Sequence, residues 1–294
     1  MTAEAVRTPD GRFEGLLPYP PRYLEWEGLR LHYLDEGTGP PVVLFHGEPT
    51  WAYLYRKVAA VLIPAGYRVI VPDLPGFGRS DKPTDPAFYS YDHHVAAMTA
   101  VVEHLDLDGA TAVVQDWGGP IGLRLAVEHP DWFSRLSILN TGLFTGRDKM
   151  SEGFLAWRAF AEKVDDLPVG SIMSRSMIRP WADEVVAAYE APFPGPEYKV
   201  GAHRFPLIVP MTPDDPGAAA MTAVLARLGS WNRPAQVLFS TADPIFTTWV
   251  GARLAAHIPG AGDLETIDNA GHFLQEDAGE EVGAAIAAFL TSTD

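Results

Sequence analysis

The sequence predicts an α/β fold, in which helices cover both faces of a mostly parallel sheet and a helical segment is inserted late in the chain. Three observations support this prediction. Short apolar runs alternate with helical stretches over the first half of the chain. The alternation stops between about residues 144 and 228, which show no strong strand pattern, and it resumes at Gln236. The 294 residues, 47% of them apolar, suffice for one large domain with an inserted subdomain.

The strand predictions are short and fall into two types. Leu29–Leu34 alternates in polarity, as an antiparallel strand with one exposed face does, and the glycine-rich residues 36–39 form a turn after it. The other runs are almost continuously apolar, which is typical of parallel strands buried on both faces. These runs are Pro41–Phe45, Tyr67–Val71, Thr111–Gln115, Leu136–Leu139 and Gln236–Ser240.

Helical stretches separate these strands, as expected for βαβ units. The predicted helices outside the insertion are Tyr53–Ile63, Asp92–Leu107, Gly118–His129, Thr247–His257 and a closing helix over Glu276–Leu290. The insertion contains the helical fragments Glu152–Lys163 and Asp183–Tyr189. We therefore expect a core of residues 1–143 and 229–294, a helical cap of residues 144–228, and ligands at the carboxyl ends of the strands.

Composition excludes several classes of function. The formal charge of −16 repels phosphate backbones and anionic membranes, so we expect neither nucleic acid nor a membrane as a partner. The chain has no cysteine, and the adjacent His93 and His94 would point in different directions from a helix start, so we expect no metal site. The first 25 residues lack the apolar centre of a signal peptide, and no apolar run approaches a membrane span of about 18–20 residues. We expect a cytoplasmic protein.

The segment Thr111–Gly119 carries the main chemical signal. A short apolar run is followed by Asp116, a tryptophan and two glycines, and then by a predicted helix. This order is typical of a nucleophile elbow, the strand-to-helix turn that exposes one side chain above a parallel sheet. A carboxylate that attacks carbon forms an ester that water can cleave, whereas a serine displacing a leaving group from an alkyl carbon would form an inert ether. Asp116 therefore predicts hydrolysis at a saturated carbon.

Two other strand ends carry the groups that such a nucleophile needs. Asp243 follows a strand, and His272 precedes the closing helix, which gives the chain order of an α/β-hydrolase triad. The acid would orient the histidine, and the histidine would take a proton from water. The backbone N–H groups of Glu48 and Trp117 would form the oxyanion hole. The alternatives are a helix N-cap for Asp116 and a turn residue for Asp243.

Four motifs resemble those of haloalkane dehalogenases, in the branch whose halide site uses two tryptophans. They are His46–Trp51, Asp73–Pro83, Gln115–Gly119 and Gly271–Phe273, and with the strand pattern they cover most of residues 25–142 and 230–292. The resemblance implies an α/β-hydrolase fold with an eight-stranded sheet, a triad of Asp116, His272 and Asp243, and no cofactor or metal. It also implies a haloalkane, water and a halide ion as the small partners, and we expect a monomer.

Individual residues narrow the resemblance to this branch. Glu48 and Gln115 match it, and related epoxide hydrolases usually carry an apolar residue where Glu48 stands. The other large dehalogenase branch takes its acid from the end of the strand before the cap, where this chain has Asn140, which cannot act as an acid.

One residue departs from the general elbow pattern, because Val114 stands two residues before the nucleophile, where glycine is usual.

The cap must supply the group that distinguishes a halide site from an epoxide site. Trp117 and Trp157 resemble the two halide-binding tryptophans of the family, with Trp181 as the main rival of Trp157. Trp51 and Trp231 are weaker rivals. Phe205 and Pro206 resemble residues that line the substrate slot, with ordinary packing in the cap as the alternative.

Two other functions are compatible with the same fold. An epoxide hydrolase would need tyrosine donors from the cap, for which Tyr189 and Tyr198 are the candidates. A receptor would bind a small molecule without turnover, and the presence of all three triad residues argues against that function.

Overall fold

The computed structural model of the protein describes residues 4–293, and its main sheet confirms the predicted α/β-hydrolase architecture. The strands of this sheet are β1 (Arg22–Trp26), β2 (Leu29–Glu36), β3 (Pro41–Phe45), β4 (Arg68–Pro72), β5 (Ala110–Gln115), β6 (Phe133–Leu139), β7 (Ala235–Ser240) and β8 (Glu265–Ile267). Their spatial order is β8-β7-β6-β5-β3-β4-β2-β1. Strand β2 pairs antiparallel with β1 and β4, and the other neighbours are parallel. The segments Ala5–Val6 and Lys82–Pro83 form a separate antiparallel ribbon.

Burial explains the continuously apolar strands but not the alternating one. Strands β5 and β7 are buried along their whole length, because helices cover both faces of the sheet there. Strands β1 and β2 form a hairpin at the sheet edge, and Arg22 and Glu25 of β1 are exposed, but residues 31–34 of β2 are all buried, so the alternation over Leu29–Leu34 does not mark an exposed face. Glu27 and Gly28 connect them, both with positive φ, which is the backbone of a type I′ turn and explains the tight connection.

Helices cover the sheet and end the chain. They are α1 (Arg56–Leu62), α2 (Tyr91–His104), α3 (Gly118–Glu128), α9 (Thr248–His257), α10 (Leu274–Asp277) and α11 (Gly279–Ser292), and between β6 and β7 come α4 (Glu152–Ala161), α5 (Val169–Ser176), α6 (Asp183–Glu190), α7 (Val200–Arg204) and α8 (Ala218–Leu228). Residues 144–228, all of which are described, contain no strand, in agreement with the sequence pattern. Among residues 4–293, no helix is long and apolar enough to cross a membrane.

Two helix predictions were wrong in their extent. The stretch predicted as one helix from Tyr53 begins as a 3₁₀ turn over Ala52–Tyr55, and α1 starts only at Arg56. The predicted closing helix is divided, because Ala278 leaves the helical conformation with φ −140° and ψ 38° between α10 and α11. The two acids just before this break, Glu276 and Asp277, are buried and bind Arg56 and Trp181, which are far from them in the chain.

Val114 stands two residues before Asp116, where a glycine is usual in such a turn. Helix α3 leaves room for the valine side chain, because it carries a glycine at position 122. A Cβ atom on Gly122 of α3 would lie 2.6 Å from Cγ1 of Val114 and 2.9 Å from the ring of Phe45. The valine side chain thus occupies the volume that a side chain at position 122 would otherwise fill. The close approach of helix and strand is kept, with the small residue moved from the strand to the helix.

We expect Gly122→Ala to lower the free energy of unfolding by about 1–2 kcal/mol. Overpacking a filled core costs about 1–3 kcal/mol, and the gain in helix propensity returns up to about 1 kcal/mol. Urea unfolding followed by circular dichroism measures the difference, and Val114→Ala in the same chain should recover part of the loss. Gly262→Ala is the matched control, since its Cβ would meet nothing within 4 Å. Equal stability of the two single variants would contradict this account.

Candidate active site

The nucleophile candidate Asp116 lies in the sharp turn between β5 and α3, where its backbone φ is +50°. This left-handed conformation is unfavourable for a residue with a side chain, so the surrounding structure must hold it in place. Three glycines allow the crowding that does so. A Cβ would lie 2.1 Å from Oδ1 of Asp116 at Gly47, 2.1 Å from the carbonyl oxygen of Phe45 at Gly118, and 1.8 Å from Oγ1 of Thr141 at Gly119.

Hydrogen bonds fix both the backbone and the carboxylate of Asp116. Its N–H donates to the carbonyl oxygen of Asn140 at 3.0 Å, and its own carbonyl oxygen accepts from the Thr141 hydroxyl at 2.6 Å. The backbone N–H of Glu48 donates to Oδ1 at 2.8 Å. Because β3 and β5 are neighbours in the sheet, the loop that carries Glu48 lies directly beside the elbow. Oδ2 is left facing His272.

The structure brings His272 together with Asp116 on one side and Asp243 on the other. Nε2 of His272 lies 3.5 Å from Oδ2 of Asp116, and Nδ1 of His272 lies 2.9 Å from Oδ2 of Asp243. The Asp243 side chain is fully buried, and its Oδ1 accepts from the N–H of Ile245 at 2.7 Å. The ring of Phe246 stacks beside the imidazole with centroids 5.8 Å apart. Asp243 therefore fixes the orientation of the ring, with Nε2 directed at the nucleophile.

Opposing effects determine the charge of His272. Burial disfavours the imidazolium, but the Asp243 carboxylate first and Asp116 second outweigh burial and raise the pKa of His272 to about 10. With Asp116 ionised, the histidine therefore carries a proton and lies between two carboxylates.

Two amides hold the loop of His272 against the sheet. Nδ2 of Asn140 donates to the carbonyl oxygens of Gly271 and His272 at 3.1 and 3.2 Å, and its Oδ1 accepts from the N–H of Ser240 at 2.8 Å. Nε2 of Gln115 donates to the carbonyl oxygen of His272 at 3.2 Å and lies 3.3 Å from its Nε2. Asn140, which the sequence excludes as an acid, is thus a connector between β6, β7 and the histidine loop.

The carboxylate and the imidazole open into a cavity of about 250 Å³ between the sheet edge and the helices of residues 144–228. Its walls are mostly apolar and aromatic, with Phe144, Phe154 and Phe246 on one side. The same three phenylalanines also line a larger neighbouring groove of about 850 Å³. None of Asp116, His272 and Asp243 occurs among the described residues that line this groove. An apolar cavity of this size suits a small neutral substrate.

The chain is similar to known proteins over almost its whole length. Residues 40–168 match a family model described as alpha/beta hydrolase fold. The haloalkane dehalogenase of Psychrobacter cryohalolentis is 47% identical over 97% of each chain, and that of Mycobacterium marinum is 46% identical over 96% of this chain and 98% of the relative. The chain belongs to the haloalkane dehalogenase family. The tetrameric haloalkane dehalogenase DpaA from Paraglaciecola agarilytica NO2 superposes with a TM-score of 0.90 at 35% identity, covering 96% of this chain and 97% of that one.

The tryptophans of this dehalogenase occupy different environments. Trp117 and Trp157 both line the cavity, and within residues 4–293 neither indole N–H has a hydrogen-bond partner. Trp181, the rival of Trp157, donates its indole N–H to Oδ1 of Asp277 at 2.9 Å. Trp51 donates to the carbonyl oxygen of Ala188, and Trp231 is buried away from the cavity. Among the described residues that line this cavity, Trp117 and Trp157 are therefore the tryptophans with an unbonded indole N–H.

The tyrosines that an epoxide hydrolase would need lie elsewhere. Tyr189 is fully buried and donates its hydroxyl to Oε2 of Glu276 at 2.7 Å. Tyr198 is partly buried in a 3₁₀ turn of the cap and does not reach the cavity. No tyrosine occurs among the described residues that line the cavity.

The two expected pocket residues differ in position. Pro206 lines the cavity, whereas Phe205 is fully buried and lies behind Trp117, with ring centroids 4.9 Å apart in an edge-on contact. The expectation that Phe205 lines the slot is corrected in this respect. The rings of Phe77 and His94 also pack against Phe205. Phe205 therefore lies in the core and supports the Trp117 indole from the side away from the cavity.

The sequence did not single out the cavity residues of α5 and the loop after it. Ile172, Arg175, Ser176 and Ile178 all line the cavity. The spacing of the first three places them on one helix face, which was visible in the sequence. Only Ile172 among these three is apolar, so the face has no apolar stripe, and the sequence pattern could not identify it as part of the cavity.

Glu48 contributes a second feature besides its backbone N–H. Its side chain is almost fully buried, and Oε1 has no partner among the described residues. Burial, and then the charge of Asp116, raise the pKa of Glu48 well above its usual range, and His272 offsets only part of this effect. Both effects favour the neutral, protonated form of this side chain.

We expect Glu48→Gln to keep kcat/KM for halide release within about tenfold of the parent value, which corresponds to about 1.4 kcal/mol. Glutamine preserves the backbone donor and the shape of a neutral acid at this position. Glu48→Leu, which removes the polar group, is the comparison and should cost more. A loss of about a thousandfold in Glu48→Gln would show that the ionised carboxylate is required.

Proposed function

We propose that this member of the haloalkane dehalogenase family cleaves the carbon–halogen bond of a small haloalkane with water, in two steps through an ester of Asp116. The observation that carries the proposal is a carboxylate at the elbow, with one oxygen held by Glu48 and the other facing His272 at the floor of an apolar cavity. An ester intermediate formed from such a carboxylate can be hydrolysed by water.

In the first step, Oδ2 of Asp116 attacks the alkyl carbon in line with the departing halogen. The new C–O bond forms as the C–X bond breaks, and the electron pair of that bond leaves with the halide. The indole N–H groups of Trp117 and Trp157 hold the anion, since neutral donors in an apolar site suit a weakly hydrated halide. The free indole donors in the cavity support this assignment.

In the second step, water attacks the ester carbonyl carbon of Asp116 while Nε2 of His272 takes its proton. Asp243 stabilises the resulting imidazolium. The negative charge develops on the oxygen already held by the Glu48 N–H, and the Trp117 N–H is the second donor in our proposal. The imidazolium then gives its proton to the departing alcohol. The products are an alcohol, a halide ion and a proton, and no step uses a cofactor or a metal.

The domain organisation belongs to the same proposal. We assign residues 1–143 and 229–294 to the core and residues 144–228 to a cap that covers the cavity. The helices of that range and their contribution to the cavity lining support the division. We also propose a cytoplasmic enzyme. Our expectation of a monomer stays a prediction, and the tetrameric structure of DpaA gives it no support.

The two-step mechanism predicts different outcomes for two variants mixed with 1-bromobutane. Asp116→Asn should release no bromide, because the attacking oxygen is gone. His272→Gln should release about one bromide per chain and stop, with a butyl group on Asp116 in the mass spectrum, because ester hydrolysis needs the base. If the parent protein releases no halide from any haloalkane but hydrolyses an epoxide, the proposal is wrong.

The assignment of Trp157 predicts a loss of halide affinity. Trp157→Phe should raise the apparent Kd for chloride, measured by tryptophan fluorescence quenching, by about 10- to 100-fold, because a hydrogen bond to a charged group contributes about 1.5–3 kcal/mol. Trp181→Phe is the matched control, and its Kd should stay within about threefold, since the Trp181 indole already binds Asp277. The opposite order of effects would assign the donor to Trp181.

A further inference from the structure

Helix α10, directly after the histidine loop, carries a carboxylate on which two parts of the molecule converge. Oδ2 of Asp277 accepts from the N–H of Gly271 at 2.9 Å, and Gly271 immediately precedes His272. Oδ1 accepts from the N–H of Arg179 at 3.1 Å and from the Trp181 indole at 2.9 Å. The side chain is buried, so these charge-assisted hydrogen bonds are shielded from water.

The cap and the histidine loop are also in direct contact at this point. A Cβ on Gly271 would lie 2.9 Å from Cγ1 of Ile178 and 3.1 Å from the carbonyl oxygen of Ser176. Arg179 donates through its guanidinium to the carbonyl oxygens of Asp268 and Asn269, which lead into the histidine loop. Residues 178–181, which we call the clamp segment, therefore pack against the backbone that carries the base.

We propose that Asp277 is a positioning residue that couples the clamp segment of the cap to the loop of His272 and keeps the base placed for ester hydrolysis. The inference rests on the proposed roles of Asp116 and His272. Oδ2 of Asp277 accepts from the Gly271 N–H of the base loop, Oδ1 accepts from Arg179 and Trp181 of the cap, and the N–H of Ile178 in the cap lies 3.3 and 3.4 Å from Oδ1 and Oδ2. The carboxylate therefore joins two elements that are about 90 residues apart in sequence. Ile178, within the clamp segment, also lines the cavity, which connects the same contact to the substrate space.

The two chemical steps depend differently on this contact. Halide displacement needs the Asp116 carboxylate and the halide donors, but not a base. Ester hydrolysis needs Nε2 of His272 within reach of a water molecule, and a misplacement of about 1 Å can cost about a hundredfold in rate. A loosened histidine loop therefore slows the second step and leaves the first largely intact.

Asp277→Asn tests the coupling with almost no change in volume. The amide replaces one acceptor oxygen by an NH₂ donor, so in one orientation the Gly271 N–H loses its acceptor, and in the other the Arg179 N–H and the Trp181 indole lose theirs. With 1-bromobutane in a rapid-mixing experiment, we expect a bromide burst of about one per chain at a rate within about threefold of the parent. The following steady state should be about 10- to 100-fold slower, with alkylated enzyme accumulating in the quenched samples.

Asp215→Asn is the matched control, because this cap carboxylate also accepts from two backbone N–H groups, those of Met211 and Thr212, and does not bond the histidine loop. Its ester hydrolysis should stay within about threefold of the parent rate. Gly271→Ala is the second test, because its Cβ would push the clamp segment away while Asp277 remains. It should reproduce the burst with slow hydrolysis, and it decides the matter if Asp277→Asn does not fold.

Two results would overturn the positioning role. The burst and the steady state could fall in parallel, which indicates general damage to the site, or neither could change while only the melting temperature falls, which indicates a contact for stability alone. Failure of the proposed function has a different signature. In that case the parent protein itself releases no halide, and no variant shows a burst.

Discussion

The backbone of Asp116 is held in a left-handed conformation, and the rest of the site is arranged around that constraint. The turn brings the carboxylate above the sheet, and it does so only because Gly47, Gly118 and Gly119 leave no side chain in the way. The same close approach places the backbone N–H of Glu48 on one carboxylate oxygen. The tight turn therefore also places one donor of the proposed oxyanion hole, and the orientation of the Asp116 carboxylate follows from main-chain packing.

Asn140 shows why the acid can sit on β7 and not on β6. Its amide accepts a hydrogen bond from the Ser240 N–H and at the same time donates to the carbonyl oxygens of Gly271 and His272. An ionised carboxylate at this position could accept but not donate, so each of these carbonyls would lose one of its two donors, the others being Ser240 for Gly271 and Gln115 for His272. With an amide at the end of β6, the imidazole receives its acid from Asp243. Asn140 thus connects the strands to the histidine loop, and Asp243 is the ion-pair partner of His272.

The sequence predicted the sheet, the elbow and the meeting of Asp116, His272 and Asp243, because these depend on local patterns at strand ends and on a known chain order. It did not predict the division of the closing helix at Ala278 or the position of Phe205 behind Trp117. Both result from packing between segments far apart in the chain, and apolar spacing alone does not show which neighbour a side chain meets. The partner of the Trp181 indole is of the same kind, since Asp277 lies 96 residues away.

In the proposed mechanism, the charges of the site impose an order on the two steps. With Asp116 ionised, its carboxylate helps to raise the pKa of His272, and the histidine is a poor base because it is already protonated. Formation of the ester removes the charge of Asp116 and with it that contribution, while the effect of burial, which lowers the pKa, remains. The histidine therefore becomes a better proton acceptor once the alkyl group has been transferred. Asp243 still raises the pKa of His272, so the histidine can hold the proton that it takes from water. Alkylation of Asp116 thus converts His272 into the base for hydrolysis of the ester.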